Sequence, residues 1–294
     1  MSNSNHDRYD YRPITDRSDY DWPDGRRLAI YLGVNYEVFD FGGGLGPKLA
    51  PSQTEPDVMN YAWRDYGNRV GAWRLFDLFD RLQLRTTALL NADVLERCPG
   101  LAEACRDRGD EIAAHGSSSN AKAQGNMFGL REDSLIADVT EKLATLGIRP
   151  SGWLGPWISE SQNTPDLLAK NGYRYVLDWA HDDQPTRLST KYGGLLSVPY
   201  SQEINDLPAI IERHQEAETF AAMIRAGVEQ LLSECDRRPL VLGIALHPFI
   251  MGQAHRVPAL ARVLTELREA DDPRIWWTTA GDIAAHVETN GMAV

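Results

Sequence analysis

Residues 110–120 have the sequence DEIAAHGSSSN, and this stretch decides the fold that we predict. The apolar residues 112–114 are typical of a short buried strand, which ends at His115. Gly116 and a run of small polar residues follow at once, so little side-chain bulk surrounds the imidazole. Because α/β proteins place ligands and chemistry at the carboxyl ends of strands, His115 is a candidate site residue. The alternative is a histidine that only satisfies a turn.

The rest of the chain repeats this pattern of a strand followed by a helix about seven times, with short turns. Residues 27–34 and 240–246 are nearly continuous apolar runs, which predict strands buried on both faces. No Gly-x-Gly-x-x-Gly motif follows the first strand, which argues against a dinucleotide-binding sheet. We therefore predict the α/β class and a distorted (β/α) barrel of about seven parallel strands.

In such a barrel the carboxyl ends of the strands open on one face, and polar residues follow several of the predicted strands. Each of these residues alone could be an ordinary loop or turn residue. Their shared placement is the argument that they form a site. The candidates are Asn35, Glu37, His115, Asp178, Glu203, Asn205 and His247.

The composition of the 294-residue chain limits the classes of partner that we expect it to bind. The net charge of −12 argues against nucleic acid or an anionic membrane as a partner, and makes a neutral or cationic small-molecule substrate easier to accommodate. We see neither a membrane-spanning apolar run nor a secretory signal. The three cysteines have no Cys-x-x-Cys spacing and fit reduced thiols, so we expect a cytoplasmic protein.

We expect two parts in the chain, a polar N-terminal arm over residues 1–25 and a single barrel domain over 26–294. The arm is either disordered or packed over the domain or a neighbouring subunit. Residues 38–68 are predicted to be a long loop, and its stretch 60–66 is rich in aromatic residues. The arm and this stretch together suggest a homo-oligomer.

The absence of known nucleophile motifs limits the catalytic mechanisms that the sequence supports. No Gly-x-Ser-x-Gly motif is present, and no cysteine follows a predicted strand, which argues against a serine or thiol nucleophile. Acid–base hydrolysis by a carboxylate and imidazoles remains, with no metal or with one divalent metal, zinc or manganese. A catalytic zinc site usually has three protein ligands. Without a His-x₃-His pair, those ligands would come from separate strands.

The order of the motifs resembles the polysaccharide deacetylase superfamily, and most closely its small-molecule branch of metal-independent-type allantoinases and cyclic imide hydrolases. The most specific pieces are VNYE at 34–37, GWLGPWIS at 152–159 and GIALHP at 243–248. The resemblance covers about residues 27–287. It implies a distorted (β/α) barrel, an oligomer, and a leaving-group role for His247.

Three departures separate this chain from the sugar deacetylases of that superfamily. They carry Asp-Asp after the first strand, where this chain has Asn35-Tyr36-Glu37. They carry His-x₃-His for zinc, where this chain has His115 followed by Ser119, and Arg-Pro-Pro, where this chain has residues 154–156 as LGP. The zinc triad is thus broken in two places, which puts activity on a polysaccharide in doubt.

Our first hypothesis is a hydrolase that opens a C–N bond of a small cyclic amide, imide or ureide. Glu37 and His115 would hold or activate water, or would ligate a metal if one binds, and His247 would be the general acid. Asp178 would orient a histidine or the substrate. The expected substrate-binding residues are Asn35, Ser119, Trp153, Trp157 and Trp179.

Two other functions remain open. One is an N-deacetylase acting on an amino sugar or another acetylated amine, with a metal site rebuilt around Glu37 and His115. The other is a catalytically inactive barrel that binds a ligand.

Overall fold

A computed structural model describes residues 6–52, 55–120 and 129–290. Its strands form one sheet in the order β6-β7-β5-β4-β3-β2-β1-β8, and β9 also pairs with β1. The strands are β1 Leu28–Tyr36, β2 Thr87–Leu90, β3 Glu111–Ala114, β4 Gly152–Trp153, β5 Tyr175–Val176, β6 Thr186–Thr190, β7 Gly193–Ser197, β8 Leu240–Leu246 and β9 Ile275–Thr278. The helices are α1 Val58–Tyr66, α2 Ala72–Arg81, α3 Val94–Arg97, α4 Pro99–Asp107, α5 Gly129–Ala144, α6 Thr164–Lys170, α7 Ala217–Glu234, α8 Pro248–Met251, α9 Val257–Glu269 and α10 Ala280–Thr289.

The predicted α/β fold is confirmed: the sheet is mostly parallel and curls into a half-barrel. β1 lies at its centre and pairs in parallel with β2, β8 and β9. The described strands number nine rather than about seven. The pattern of apolar residues missed β6 because this strand is a half-exposed edge, which pairs antiparallel to β7.

The sheet separates two hydrophobic layers, and β1 contributes to both because alternate residues of a strand face opposite sides. Leu28, Ile30 and Leu32 pack outward in the layer that includes the helices. Ala29 and Tyr31 pack inside the curl. Burial on both faces explains why the sequence of this strand is continuously apolar.

The segment predicted to be a long loop, residues 38–68, contains a helix. Asp57 caps α1 by accepting a hydrogen bond from the Asn60 amide. A single π-helical segment, Gly67–Gly71, then joins α1 to α2. A Cβ on Gly71 would lie 2.1 Å from the Pro248 carbonyl oxygen, so glycine permits α8 to pack closely there. The prediction failed because the residues that this helix buries, Asn60 and Arg64, are polar and not apolar.

The described part of the arm, residues 6–25, packs against the domain. The Trp22 side chain is buried inside the curl, where its indole nitrogen donates to the Leu240 carbonyl at 3.1 Å. Arg8 forms an ion pair with Asp166 at 3.0 Å. Leu240 begins β8, so Trp22 covers the end of the barrel opposite the carboxyl ends of the strands. Residues 1–5 and 291–294 of the expected arm and domain lie outside the described residues.

Two smaller observations complete the fold. Within the described ranges, no helix combines the length and apolar character needed to cross a bilayer. The three cysteines form no disulfide, and Cys105 and Cys235 are buried.

Candidate active site

Three of the predicted residues meet at the carboxyl ends of β1, β3 and β8. Glu37 follows β1, His115 follows β3 and His247 follows β8, so the parallel register of these strands brings the three side chains together. Glu37 Oε1 lies 3.4 Å from His115 Nε2, and Glu37 Oε2 lies 3.8 Å from His247 Nε2. All three side chains are more than nine-tenths buried. One carboxylate thus faces two imidazoles.

His247 is held by a carboxylate that the sequence analysis did not select. Its Nδ1 donates to Asp206 Oδ1 at 2.6 Å, and its backbone amide donates to Asp206 Oδ2 at 2.8 Å. Burial lowers the pKa of His247, but the negative charges of Asp206 and Glu37 outweigh it, so that the pKa lies above its ordinary value. The imidazole therefore retains a proton on Nε2, the atom that faces Glu37.

His115 is held instead by a main-chain group. Its Nδ1 lies 2.8 Å from the Leu154 carbonyl oxygen. Because a carbonyl oxygen can only accept, Nδ1 carries the proton, and in the neutral ring Nε2 is an acceptor. The His115 Nε2 lone pair therefore points toward another acceptor, Glu37 Oε1.

Glu37 is kept ionised although it is buried. Burial raises the pKa of Glu37, but the hydrogen bond and charge that His115 supplies when its ring is protonated, the charge of His247 and the Ser119 hydroxyl lower it below its ordinary value. Its Oε2 atom is buried and has no hydrogen-bond partner among the described atoms. An unpartnered buried carboxylate oxygen is costly, and a substrate N–H or a water would satisfy it.

A buried amide, Asn91, joins the loops that follow β1 and β3. Its Oδ1 accepts from the Val38 amide at 2.9 Å and from the Ser119 hydroxyl at 3.2 Å, and its Nδ2 donates to the His115 carbonyl. Asn68 adds a bond of 2.7 Å to the Glu37 carbonyl. These bonds fix the backbone on both sides of the Glu37–His115 pair.

The donor set does not fit a metal. A catalytic zinc ion needs three protein ligands around one point. Among the described residues, no group of three His, Cys, Asp or Glu side chains is arranged to hold a metal ion. Glu37 directs a different oxygen to each histidine, so the pair that we considered as ligands, Glu37 and His115, lacks a third member.

Asp178 lies at the end of β5, but it orients no histidine. Its Oδ1 accepts from the Gly155 amide at 2.7 Å, and its Oδ2 is buried and has no hydrogen-bond partner among the described atoms. Burial and the charge of Glu160 raise the pKa of Asp178 well above its ordinary value, and burial raises the pKa of Glu160 to about 7. The carboxylate that orients a histidine is Asp206, because Asp206 is the one that His247 reaches.

The three tryptophans expected to wall a pocket lie in different places. Trp153 packs outward against Tyr173, with 5.4 Å between the ring centres, and belongs to the hydrophobic core. It faces outward because successive residues of a strand point to opposite sides of the sheet. Trp179 donates to Glu160 at 3.1 Å and contacts Tyr9 of the arm. Trp157 donates to the Ser119 carbonyl at 2.9 Å, and therefore lies beside the His115 loop.

Trp157 has a φ of 61°, in the left-handed region that bulky residues avoid. Such a conformation costs roughly 1–2 kcal/mol and persists where the surroundings hold it. Here the hydrogen bond to Ser119 fixes the indole beside the site.

The remaining polar strand-end candidates have structural partners. Asn35 is buried, and its amide donates to the Tyr200 hydroxyl at 2.9 Å and to the Leu246 carbonyl at 3.2 Å. Asn35 thus ties the ends of β1 and β8 together below Glu37. Glu203 pairs at the surface with Arg213, and Asn205 accepts from the Leu207 amide at 3.1 Å. Neither Glu203 nor Asn205 faces the histidines.

Comparisons with known proteins find relatives by sequence and by fold, although no family model matches the chain. The peptidoglycan deacetylase of Helicobacter pylori is 27% identical over 216 residues, which cover 71% of this chain and 64% of that protein. A crystal structure of a probable polysaccharide deacetylase from Pseudomonas aeruginosa PAO1 is 26% identical, with a TM-score of 0.81 over 91% of this chain and 93% of that one.

A second solved structure has a different printed activity. The Puue allantoinase is 26% identical, with a TM-score of 0.79 over 91% of this chain and 92% of that one. The names of the relatives and the shared barrel support one superfamily and leave its finer branch open. The chain is therefore similar in both sequence and fold to members of the polysaccharide deacetylase superfamily.

Proposed function

We propose that this protein hydrolyses an amide C–N bond of a small molecule by acid–base catalysis with Glu37, His115 and His247. The observation that carries the proposal is the pairing of an ionised, buried Glu37 with a histidine whose pKa is raised. The two groups have opposite tasks, since one accepts a proton and the other supplies one.

A water molecule beside the Glu37–His115 pair, in reach of both side chains, suits this reaction. Glu37 Oε1 and His115 Nε2 are both acceptors, 3.4 Å apart, and a water can donate one hydrogen to each. Its lone pair then points away from both, toward a substrate carbonyl carbon. As the C–O bond forms, Glu37 takes the proton that the water loses.

His247 completes the reaction on the other side of Glu37. When the C–N bond of the tetrahedral intermediate breaks, the electron pair goes to nitrogen, and the Nε2–H of His247 protonates it. The products are a carboxylic acid and the protonated leaving nitrogen, which is an amine from an amide, an amide from an imide and a urea from a ureide. If the bond lay in a ring, one molecule carries both groups. Asp206 orients the imidazole and stabilises its positive charge.

Within this reaction, ring opening of a cyclic amide, imide or ureide is our first candidate. The nitrogen of an imide leaves more readily than that of a simple amide, which suits a site that works with side chains alone. The likeness to an allantoinase supports it. The second candidate is N-deacetylation of a small acetylated amine, and the names of the peptidoglycan and polysaccharide deacetylases favour it.

The test is hydrolysis by the purified protein of two substrate sets, cyclic (succinimide, dihydrouracil, hydantoin, allantoin) and acetylated (N-acetylglucosamine, N-acetyl amino acids). We expect turnover within one set, with loss of turnover in Glu37→Gln. Turnover of neither set would contradict the proposal and support a barrel that only binds a ligand.

A further inference from the structure

Helix α1 carries a buried arginine that the proposed reaction does not use. Arg64 is 8% exposed, and its guanidinium lies over the Phe39 ring at 4.7 Å from the centroid. Its Nη1 donates to the Pro47 carbonyl at 2.8 Å. Its Nε is buried and has no hydrogen-bond partner among the described atoms.

Three other largely covered arginines of this chain contact carboxylates. Arg8 pairs with Asp166, Arg17 with Asp182, and Arg108 with Asp80 and Asp110. By contrast, no carboxylate of the described residues forms an ion pair with Arg64 within 4 Å. The segments outside the described residues contain no Asp or Glu. A buried charge without a counter-charge is costly, so an anion from outside the chain would stabilise it.

Arg64 lies on the side of the site formed by the loop after β1. Phe39, which it covers, is two residues beyond Glu37 and lies 6.2 Å from the Phe249 ring. The Phe249 ring lies in turn 5.5 Å from His247. Burial lowers the pKa of Arg64, and the charges of Asp57 and Glu37 oppose this, so the field of Glu37 reaches the guanidinium. An arginine nevertheless stays charged at neutral pH.

We propose that Arg64 binds a carboxylate of the substrate, which makes the substrate class a small amide or imide that also carries a negative charge. The part of this inference that concerns hydrolysis rests on the proposed function, whereas the binding of a carboxylate does not. The planar guanidinium presents its donors in the geometry that a carboxylate accepts, and the unpartnered Nε supplies one of them. The bound anion supplies the missing counter-charge.

The competing explanation is that Arg64 only anchors the loop at Gly46 and Pro47. A Cβ on Gly46 would lie 2.5 Å from Arg64 Nη1, so the loop packs directly on the guanidinium. If Arg64 only anchors the loop, its substitution should weaken the binding of charged and neutral ligands equally. If Arg64 binds a carboxylate, its substitution should weaken the binding of the charged ligands selectively.

The experiment compares matched ligands that differ by a carboxylate, namely dihydroorotate with dihydrouracil, and N-acetylglycine with N-methylacetamide. Binding is measured by calorimetry and turnover by product formation, for the wild type, Arg64→Gln and Arg64→Lys. Arg108→Gln is the matched control, because Arg108 also stacks on a phenylalanine, Phe76 at 5.0 Å, but has its own carboxylates.

In at least one pair we expect the wild type to prefer the charged member. Arg64→Gln should reduce that preference by roughly 10- to 100-fold, as the loss of a charged hydrogen bond does. Arg64→Lys should retain part of the preference, and Arg108→Gln all of it.

The outcomes separate the two proposals. No preference for the charged member in either pair, or a preference that survives in Arg64→Gln, overturns the carboxylate site, even if neutral amides are hydrolysed. A preference in binding that depends on Arg64, without turnover of either pair, supports the site and counts against the reaction.

Discussion

The two histidines of the site face the same carboxylate, but different groups hold them from behind. His247 donates to a buried carboxylate, Asp206, whereas His115 donates to a main-chain carbonyl, that of Leu154. A carboxylate raises the pKa of the imidazole, and a carbonyl mainly selects the tautomer. Two identical side chains can therefore present opposite groups at Nε2, a proton donor in His247 and an acceptor in His115, depending on the group that Nδ1 contacts.

The largest effect should come from Glu37→Gln, which removes the charge that both histidines face. We expect kcat/KM to fall by about 10³-fold, the range of a lost general base. Glu111→Gln is the matched control, because Glu111 is a half-buried glutamate that accepts from the Tyr175 hydroxyl and the Gly281 amide near the opposite end of β3. Similar losses in both variants would show that a folding defect, and not the missing base, is responsible.

Asp206→Asn tests the contrast between the two histidines, because it changes only the group that His247 Nδ1 contacts. The negative charge of Asp206 raises the pKa of His247, so a neutral amide lowers it. Activity requires the protonated ring and is lost as the pH rises through that pKa, which in the wild type lies above 6.5. The alkaline limb of the kcat/KM profile should therefore move to lower pH in the variant.

We expect kcat/KM of Asp206→Asn at neutral pH to fall by roughly 10- to 100-fold. The acid limb should remain below pH 4.5, since the pKa of Glu37 is lowered from that value. Asp110→Asn, which changes a buried carboxylate bound to the Thr86 amide, is the control. An alkaline limb that stays in place in Asp206→Asn would exclude His247 as the acid.

The same contrast shows what the sequence could predict. Glu37, His115 and His247 each follow a continuously apolar strand, and parallel strands bring such ends together, so the pattern alone selected them. Asp206 lies 41 residues before its partner in a stretch where Glu203 is a surface residue. The two acids differ in where the tertiary structure places them, and no periodicity in the sequence reports that placement.

Arg64 and Trp153 show two further limits. Arg64 lies in a stretch that was noticed for its aromatic residues, and its burial depends on packing between α1 and the loop at Pro47. Trp153 was selected as a pocket residue, but β4 consists of two residues, which is too short for alternation to reveal the outward face. The fold was predictable because it repeats, whereas the burial of Arg64 and the orientation of Trp153 depend on tertiary packing.

Asn91→Ala tests the other half of the comparison, because Asn91 supports the His115 loop and does not touch His247. The change leaves the buried Val38 amide and the His115 carbonyl without their partner. We expect the free energy of unfolding to fall by about 1–3 kcal/mol, measured by denaturant titration. The alkaline limb should not move, because Asp206 still holds His247.

Asn60→Ala is the control for that variant, since Asn60 is an equally buried amide that supports the loop at Ala50. It should destabilise the protein to a similar extent. If Asn91→Ala moved the alkaline limb as Asp206→Asn does, the two halves of the site would not be independent.

The smallest expected effect is that of a chelator, which should leave kcat/KM unchanged. Glu37 directs one oxygen to each histidine, and the described residues assemble no group of three ligands. Treatment with EDTA, followed by return of zinc or manganese, measures this directly. Loss of activity on treatment and recovery with either metal would mean that His115 Nε2 binds a cation, not a water, and the two histidines would then differ as ligand and acid.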